Sequence, residues 1–589
     1  MSQLINLVPN PSTDMQWVPR SAAISATAFA GFNTPGFISS VKVIGNLAYG
    51  TIASNRNPGN DEPFVYNIAT NTFLVVGGIT AANTPLSPAT TGDWVPPIID
   101  VIGSRIVMTH PGFAGAATGF FFGWFDISGF TSNTITGDTH GTTTVDTLST
   151  DVLTAGWNVG MTITDLAGDL PAGTYIKAIA ANGLSLTLSA AATGSHATTF
   201  TVAGGTATAP LWGAGNVNQN PLLAVPVSVV QFNGRAYFAV GNSIPFSDSG
   251  NATQATDSSV TQVLTPNNGI PVTALAPLPL LSPVTGGIVQ AIVAFQSTAA
   301  IQLISGDPTT SNLLMNLLKG GTGTLAPLSL MPTVQGLGFI SPEGLRFVSL
   351  QGTVSEPIGD AGKGVAVPFI NVVNPSRTCA VYNADTLRIS VQNGAVNGQP
   401  VQDYWFDFTR KVWFGPHTFP ASIIQPYNDT FIMVANGINA QLWQSDATPS
   451  IASVYIENGK NMSWDFQTSL LPDTDDMAMH EILETTVGAN WPPQAVIVAA
   501  FLDEFSSVID SVNLAGSGAA ATIWGAFTWG AAPWLGGVGV FKQRSIFWHI
   551  PIVVKQGSIQ LSGNSVAGLI VGNLYIRYQE LGYVLENTS

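Results

Sequence analysis

The chain has 589 residues, and only 9% of them are Asp, Glu, Lys or Arg, against roughly 25% in an average soluble protein. Its length predicts two or three domains rather than one core. The net charge is −16 and Lys and Arg do not cluster, which argues against a groove that grips nucleic acid. No apolar stretch of about 18 residues lacks Pro and Gly, so we predict no transmembrane helix, and the N-terminus lacks a signal-peptide pattern.

Extended segments and turns dominate the first two thirds of the chain. Residues 1–40 carry turn and strand signals and predict an N-terminal extended arm or edge strand rather than a domain. From 41 to 450, β-rich stretches broken by Asn-Gly, Gly-Asn or Gly-Asp recur at roughly 40–50 residues, which indicates a β-propeller. These stretches are Val43–Ala53, Val101–His110, Gln231–Asp248, Ala294–Asp307, Gly336–Leu350, Tyr382–Gly394 and Tyr427–Gly437.

A segment of different composition interrupts this pattern. Residues 131–206 are rich in Thr, Ala, Gly and Ser and alternate at period 2 in places, which predicts a small all-β insert in one propeller loop. At roughly 40–45 residues per blade, the remaining length allows about seven or eight blades, and some of these blades could lack a strand. Ser311–Gly321 is the best helical candidate, because Ser stands at its N-cap and Gly at its C-cap.

The sequence pattern changes again near residue 451. Long alternating stretches and several Trp residues follow, and we predict a C-terminal β-sandwich-like platform domain over 451–589. The fold class is therefore all-β: a propeller with a small insert and a sandwich-like domain.

Residues that could carry chemistry are few and scattered. The six histidines show no metal-ligand spacing; they are His110, His140, His196, His417, His480 and His549. The acidic run at Leu471–Glu481 offers hard oxygen ligands for Ca²⁺ in Asp473, Asp475 and Asp476, followed by His480 and Glu481, but it lacks the EF-hand pattern. A solvated acidic loop is the favoured interpretation.

Other motifs have a structural interpretation as well. The glycine-rich Gly321–Pro327 lacks Gly-Lys-Ser/Thr, so phosphate binding is not expected. Ser247–Gln254 is the nearest match to the repeat of sialidase-type propellers, but it lacks the Trp. The Trp-rich Asp403–His417, together with Trp524, Trp529 and Trp534, could stack on glycans, although packing in cores and interfaces is favoured. Cys379, the single cysteine, is expected to be a buried small hydrophobe.

The stretch Phe232–His417 resembles the tail nozzle, or tail tubular protein B, group of β-propeller proteins of short-tailed double-stranded DNA bacteriophages. The resemblance rests on patterns of strands and turns, extends through Leu442–Asp446, Thr468–Asp473 and Leu574–Tyr583, and leaves the 131–206 insert outside it. Its landmarks are NGRAYFAVGNSIPFSD, VTALAPL, GIVQAIVAFQSTAAIQLISGDPTT, GTGTLAP, GLGFISPEGLRFV, PSRTCAVYNADTLRISV and YWFDFTRKVWFGPHTFP.

This resemblance implies a structural virion protein of the tail, made in the bacterial host cytoplasm. Members of the group form a homo-hexameric ring below the portal–adaptor connector, retain the genome, and then conduct it during ejection. The viral DNA would pass through the lumen without specific binding, tail fibres or spikes would be neighbours, and residues 131–206 would be candidates for host-surface contact. The resemblance implies no enzyme, and we predict no catalytic, cofactor-binding or metal-binding residues.

Two alternatives compete with this interpretation. The first is a peripheral receptor-binding or glycan-binding tail protein that uses the insert or the Trp patches. The second is a glycosidase, because propellers include enzymes with paired carboxylates.

Overall fold

The computed structural model describes residues 3–583, with short gaps and longer ones at 10–16, 26–36, 87–95, 127–133, 203–209, 359–374, 393–400, 445–455 and 516–541. Antiparallel strands dominate the described residues, and the described helical elements are the 3₁₀ turns Pro327–Ser329 and Pro375–Arg377. The prediction of an all-β chain is confirmed.

Seven blades of antiparallel strands follow one another in the described part of the chain. Blade 1 contains Phe37–Ile44, Leu47–Ala53, Asp61–Asn67 and Thr72–Leu74, and blade 2 contains Ile98–Ile102, Arg105–Thr109, Phe122–Asp126 and Leu211–Gly215. Blade 3 contains Ser228–Phe232, Arg235–Ala239, Ile244–Pro245 and Val263–Leu264, blade 4 contains Ala274–Leu281, Ile288–Gln296, Ala300–Ser305 and Leu314–Leu317, and blade 5 contains Met331–Thr333, Gly336–Ser341 and Gly344–Val348. Blade 6 contains Cys379–Asn383, Thr386–Gln392, Val401–Asp407 and Val412–His417, and blade 7 contains Ala421–Tyr427, Thr430–Ala435, Leu442–Gln444 and Ile24–Ser25.

Two-residue turns join the first two strands of blades 1, 2, 3 and 5. Asn233 and Gly234 connect the first hairpin of blade 3 and both have positive φ, 47° and 73°. A two-residue type I′ turn requires this backbone at both positions, and Asn-Gly adopts it with little strain. The local sequence therefore sets the hairpin register, in which Phe232 faces Arg235.

Apolar clusters bury the faces between successive blades and close the ring. The first strands of blades 1 to 4 contact each other in order, and this chain of contacts continues through blades 5 and 6 to blade 7, which contacts blade 1. Between blades 7 and 1, Ile423 and Val434 pack with Ile38 and Ile52. The N-terminal strand Ile24–Ser25 also pairs with Leu442–Gln444 and completes blade 7. The chain therefore forms a closed seven-bladed propeller.

The insert interrupts blade 2. Its six strands, Thr134–Thr139, Thr144–Asp146, Ile163–Asp165, Ile176–Ile179, Leu186–Leu188 and Ala197–Val202, form one antiparallel sheet. Side chains such as Ile135, Trp157 and Phe200 fill its interior. The insert contacts the propeller at several points. The Tyr175 ring lies 4.9 Å from that of Phe120, the Asn218 side chain donates to the Ile179 carbonyl oxygen, and the apolar interior of the insert is continuous with a cluster that contains Phe122 and Trp124 of blade 2.

Deleting residues 131–206 leaves the propeller folded, because Asp126 and Leu211, which flank the insert, are already paired neighbours in blade 2. Eight residues would remain to connect them (127–130 and 207–210). A surface loop of that length costs little more chain entropy than a tight hairpin. Circular dichroism and a thermal melt should show a β-rich, cooperatively folded protein. A control deletion of Leu211–Gly215 removes the outer strand of blade 2 and should give insoluble protein; equal behaviour of the two deletions would contradict the prediction.

Two sheets packed face to face form the C-terminal sandwich. The first sheet contains Gln3–Ile5, Ser463–Gln467, Gly557–Asn564, Val496–Asp503 and Val508–Ala515. The second sheet contains Leu7–Pro9, Trp17–Pro19, Ile570–Tyr583, Ala478–Asn490, Lys542–Ile546 and Ile552–Val554. A short hairpin of Ile456–Glu457 and Lys460–Asn461 comes directly before Ser463–Gln467 in the chain. Phe466, Ile497 and Leu561 of the first sheet pack with Val487 and Val571 of the second.

One prediction about secondary structure is wrong. Within Ser311–Gly321, the predicted helix, the described residues Leu314–Leu317 form the outer strand of blade 4, paired with Gln302–Ser305. Leu314 and Leu317 are about 60% exposed, so a helix here would gain no stability from burying an apolar face. The free backbone edge of the neighbouring strand offers hydrogen bonds instead, and tertiary pairing overrides a local capping signal.

Candidate functional site

The histidines are spread over three domains, and aspartates accompany four of them. The pairs are His110–Asp61 at 2.9 Å, His140–Asp146 at 2.7 Å, His196–Asp169 at 2.7 Å and His549–Asp510 at 3.0 Å. His417 lies beside the Trp405 ring in blade 6, and the Nδ1 of His480 lies 3.0 Å from the Lys555 carbonyl oxygen. Among the described residues, no three His, Cys, Asp or Glu side chains are arranged to hold a metal ion.

The acidic run is only partly described. Asp473, Asp475 and Asp476 lie outside the described residues, while His480 and Glu481 belong to the long strand Ala478–Asn490 of the sandwich. His480 is buried. His480 and Glu481 therefore belong to a strand and not to a solvated loop. The interpretation of residues 473–476 as such a loop stays a prediction.

The two loop motifs have structural roles in the propeller. In the glycine-rich loop, the Thr324 hydroxyl donates to the Ile340 carbonyl oxygen at 2.6 Å, which ties blade 4 to blade 5. In the Ser247–Gln254 loop, Asp248 accepts hydrogen bonds from Thr256 and Gln262. Both motifs thus satisfy polar groups within the fold.

The tryptophans of Asp403–His417 belong to the interior. Trp405 and Trp413 are buried within blade 6, so they offer no stacking face to a glycan. Trp524, Trp529 and Trp534 lie outside the described residues, and their role stays a prediction.

Cys379 is buried between blades 6 and 7, and its Sγ accepts a hydrogen bond from the Ile424 amide at 3.3 Å. Burial raises the pKa of this thiol to about 12. We expect no reaction of the native protein with a chromogenic disulfide reagent at about pH 8, where an exposed thiol is partly ionised. Denaturation should release one reactive thiol per chain; rapid reaction of the native protein would contradict this burial.

The N-terminal segment joins the propeller to the sandwich. Strand Gln3–Ile5 lies between Val412–His417 of blade 6 and Ser463–Gln467 of the sandwich, so one continuous sheet of nine strands runs through both domains. Leu7 is fully buried in a cluster with Trp405 and Phe414 of blade 6. Within the predicted arm, 1–40, the strand Gln3–Ile5 is therefore internal to a sheet, and backbone hydrogen bonds fix the two domains to each other.

A buried ion pair lies close to this junction. The Nη2 of Arg388 lies 2.5 Å from the Oδ2 of Asp403, and both side chains are at most 1% exposed. The guanidinium stacks on Trp405 at 4.6 Å and faces Phe431 of blade 7 at 5.0 Å. Trp405 also donates its indole N–H to the same carboxylate oxygen at 3.0 Å. The pair thus connects blade 6, blade 7 and the cluster shared with the sandwich.

An open groove of about 640 Å³ crosses the outer face of the insert. Its floor is the paired segment of strands Thr134–Thr139 and Ala197–Val202, with Thr136 opposite Thr199. Leu166, which is 84% exposed, and Thr147 also line the groove. The sequence analysis did not single out these residues. The signal that could have found them is their spacing, because Thr136 and Asp138 are two residues apart and therefore lie on one face of a strand.

Two carboxylates and a histidine lie beside the groove. Asp138 and Asp146 are directly opposed across neighbouring strands, an arrangement that costs energy for like charges. The Thr147 hydroxyl donates to Asp138, and His140 bonds Asp146. The hydrogen bond to Asp146, with the charges of Asp146 and Asp138, raises the pKa of His140 above its ordinary value.

We expect a ¹H–¹³C NMR titration of His140 to show a midpoint above about 6.5. Since the folded pKa is raised, the contribution of this pair to the stability of the insert is present below about pH 6.5 and is lost as the pH rises through the raised pKa. Asp146→Asn should move the midpoint down toward 6.5, whereas Asp151→Asn, a control in the same insert, should not. An unchanged midpoint in Asp146→Asn would contradict this assignment.

No family model and no curated protein sequence matches the chain. Among solved structures, Chaetomium thermophilum Raptor is 10% identical with a TM-score of 0.32; the match covers 73% of this chain and 29% of the Raptor chain. Saccharomyces cerevisiae Sqt1 is 10% identical with a TM-score of 0.32, covering 73% of this chain and all of that chain. Trypanosoma rangeli sialidase is 8% identical with a TM-score of 0.25, and the match covers 98% of this chain and 93% of the sialidase chain. The propeller architecture rests on the sheet order and the clusters between blades.

None of the described helical elements is long and apolar enough to cross a membrane.

Proposed function

We propose that this chain is a structural, non-catalytic subunit of the tail of a short-tailed double-stranded DNA bacteriophage. In this proposal, copies of the chain form a homo-hexameric ring below the portal–adaptor connector, retain the genome, and conduct it during ejection. The resemblance of Phe232–His417 to the tail nozzle group supports the proposal, and the described residues of that stretch form blades 3 to 6.

The observation that carries the proposal is the continuous nine-stranded sheet. Domains in one chain usually move relative to each other unless their interface is large and hydrophobic. Here a strand from the N-terminus is hydrogen-bonded on both sides, and Leu7, Trp405 and Phe414 bury the adjacent apolar surface. A tube wall under internal pressure requires subunits that do not bend at a linker, and this joint supplies that rigidity.

Charge supports the same function. The chain has 34 acidic and 18 basic residues. Lys and Arg contacts to phosphates hold DNA in place through counterion release, so a conduit benefits from few of them. A net negative, weakly charged subunit suits a lumen past which DNA slides.

Exposed apolar side chains on the sandwich support subunit contacts. Phe505 and Phe547 are each 80% exposed. Contiguous exposed apolar patches mark surfaces that another subunit covers, and in this proposal the two side chains belong to one such patch. Ring closure by head-to-tail contacts uses two different patches per subunit, and this surface would be one of them.

Cryo-electron microscopy of the purified protein mixed with its portal–adaptor complex tests the proposal. A ring on the tail axis, with propellers around a central channel, is the expected result. Phe505→Asp combined with Phe547→Asp should abolish the ring, while Leu166→Asp, an equally exposed position on the insert, should not. Density only at the tail periphery, or a monomer that ignores the connector, would overturn the conduit and favour a receptor-binding protein. A glycan-release assay on the same preparation tests the glycosidase alternative.

A further inference from the structure

The groove on the insert contains polar groups that the fold does not use. The hydroxyls of Thr136 and Thr199 face outward from paired strands and make no hydrogen bond to another described residue. The buried hydroxyls of the insert are engaged within it: Thr139 donates to Asp169 at 2.9 Å and Thr174 donates to the Pro171 carbonyl oxygen at 2.7 Å. The floor of the groove therefore presents free hydroxyls on a rigid support.

Asp138 adds a charged acceptor at the same floor. Thr147 donates to its Oδ2, and its other oxygen accepts no hydrogen bond from the described residues. A carboxylate is a stronger acceptor than a hydroxyl. Leu166 also lines the groove as an exposed apolar side chain, and its amide donates to the carbonyl oxygen of Thr199. The groove thus combines two hydroxyls, one strong acceptor and one apolar side chain within a single concave surface.

Three classes of ligand do not fit this groove. A metal ion lacks a set of three ligands here. An extended peptide cannot add to the sheet, because both floor strands are already paired on both sides. Phosphate or another anion would face Asp138 and the neighbouring Asp146, whose charges repel it.

We propose that the groove on the insert binds a neutral saccharide. Sugar hydroxyls donate to the Asp138 carboxylate and exchange hydrogen bonds with Thr136 and Thr199, while a C–H face of the ring packs against Leu166. Strands hold these groups in position before binding, so little ordering is required of the protein. The inference goes beyond the conduit function and does not depend on ring assembly.

Saturation-transfer NMR on the full chain tests the proposal. The probes are maltohexaose and chitohexaose, which are neutral, and a hexameric oligogalacturonate, which is anionic. We expect saturation transfer to at least one neutral probe and none to the anionic one. Thr136→Val together with Thr199→Val removes two hydroxyls and should weaken binding about tenfold, because two hydrogen bonds to the sugar are lost.

A matched variant controls for the fold. Thr144 and Thr187 form an equivalent exposed cross-strand pair outside the groove, and valine suits strands at either site. Thr144→Val with Thr187→Val should bind the neutral probe as the wild type does. Three outcomes would overturn the proposal: no transfer to either neutral probe, equal binding by the Thr136/Thr199 variant, or tighter binding of the anionic probe.

Discussion

Replacing Asp403 by alanine lowers the free energy of unfolding by about 3–5 kcal/mol, because the change leaves a buried guanidinium without its counter-charge. Arg388 is 1% exposed and cannot reach water without moving Trp405 or Phe431, which enclose it. The indole N–H of Trp405 also loses its acceptor. The urea midpoint followed by Trp fluorescence measures the effect.

Two further variants separate the ion pair from simple loss of side-chain volume. Glu343→Ala breaks the pair with Arg346, in which the glutamate is 59% exposed, and should cost less than about 1 kcal/mol. Arg388→Met combined with Asp403→Leu removes both charges and should be less destabilising than Asp403→Ala alone, because apolar pairs often replace buried ion pairs at little cost. A double variant that is less stable than Asp403→Ala would contradict this explanation.

Deleting residues 1–9 uncouples the sandwich from the propeller. The deletion removes the strand between Val412–His417 and Ser463–Gln467, exposes the backbone groups of both neighbours, and removes the buried Leu7. Unpaired strand edges are costly when buried and promote aggregation when exposed. Differential scanning calorimetry should show a separate transition of the sandwich at lower temperature.

The point variant Leu7→Ala isolates the apolar part of this joint. A leucine-sized cavity should cost about 2–5 kcal/mol, and the strand pairing should persist. Deletion of 584–589, at the other end of the chain, serves as the control and should leave the calorimetric profile unchanged. If deletion of 1–9 gives the profile of the intact protein, the nine-stranded sheet does not couple the domains.

Much of the architecture follows from local signals. Asn233-Gly234 specifies a hairpin because few other residue pairs accept positive φ at both positions, and turns of this kind recur at the spacing of propeller blades. The insert is also visible locally, as a Thr-rich segment with period-2 alternation. A period of 2 places every second side chain of a strand on one face of the sheet. These features depend on neighbours in sequence, so the sequence alone predicts the fold class and an approximate blade count.

Contacts between distant residues required the tertiary structure. Nothing local to Gln3–Ile5 indicates that it pairs with strands more than 400 residues away. The helical capping signal at Ser311–Gly321 was overridden, because its residues Leu314–Leu317 pair with the free edge of the neighbouring strand. Arg388 and Asp403 are unremarkable in sequence, and only strand register buries them together. The groove likewise exists because Thr136 is paired with Thr199. The sequence by itself determined most of the strands and their turns. Pairing between strands far apart in the sequence decided the closed ring, the sheet shared by propeller and sandwich, and the candidate site, because the energy of such pairing depends on all the strands being in place together.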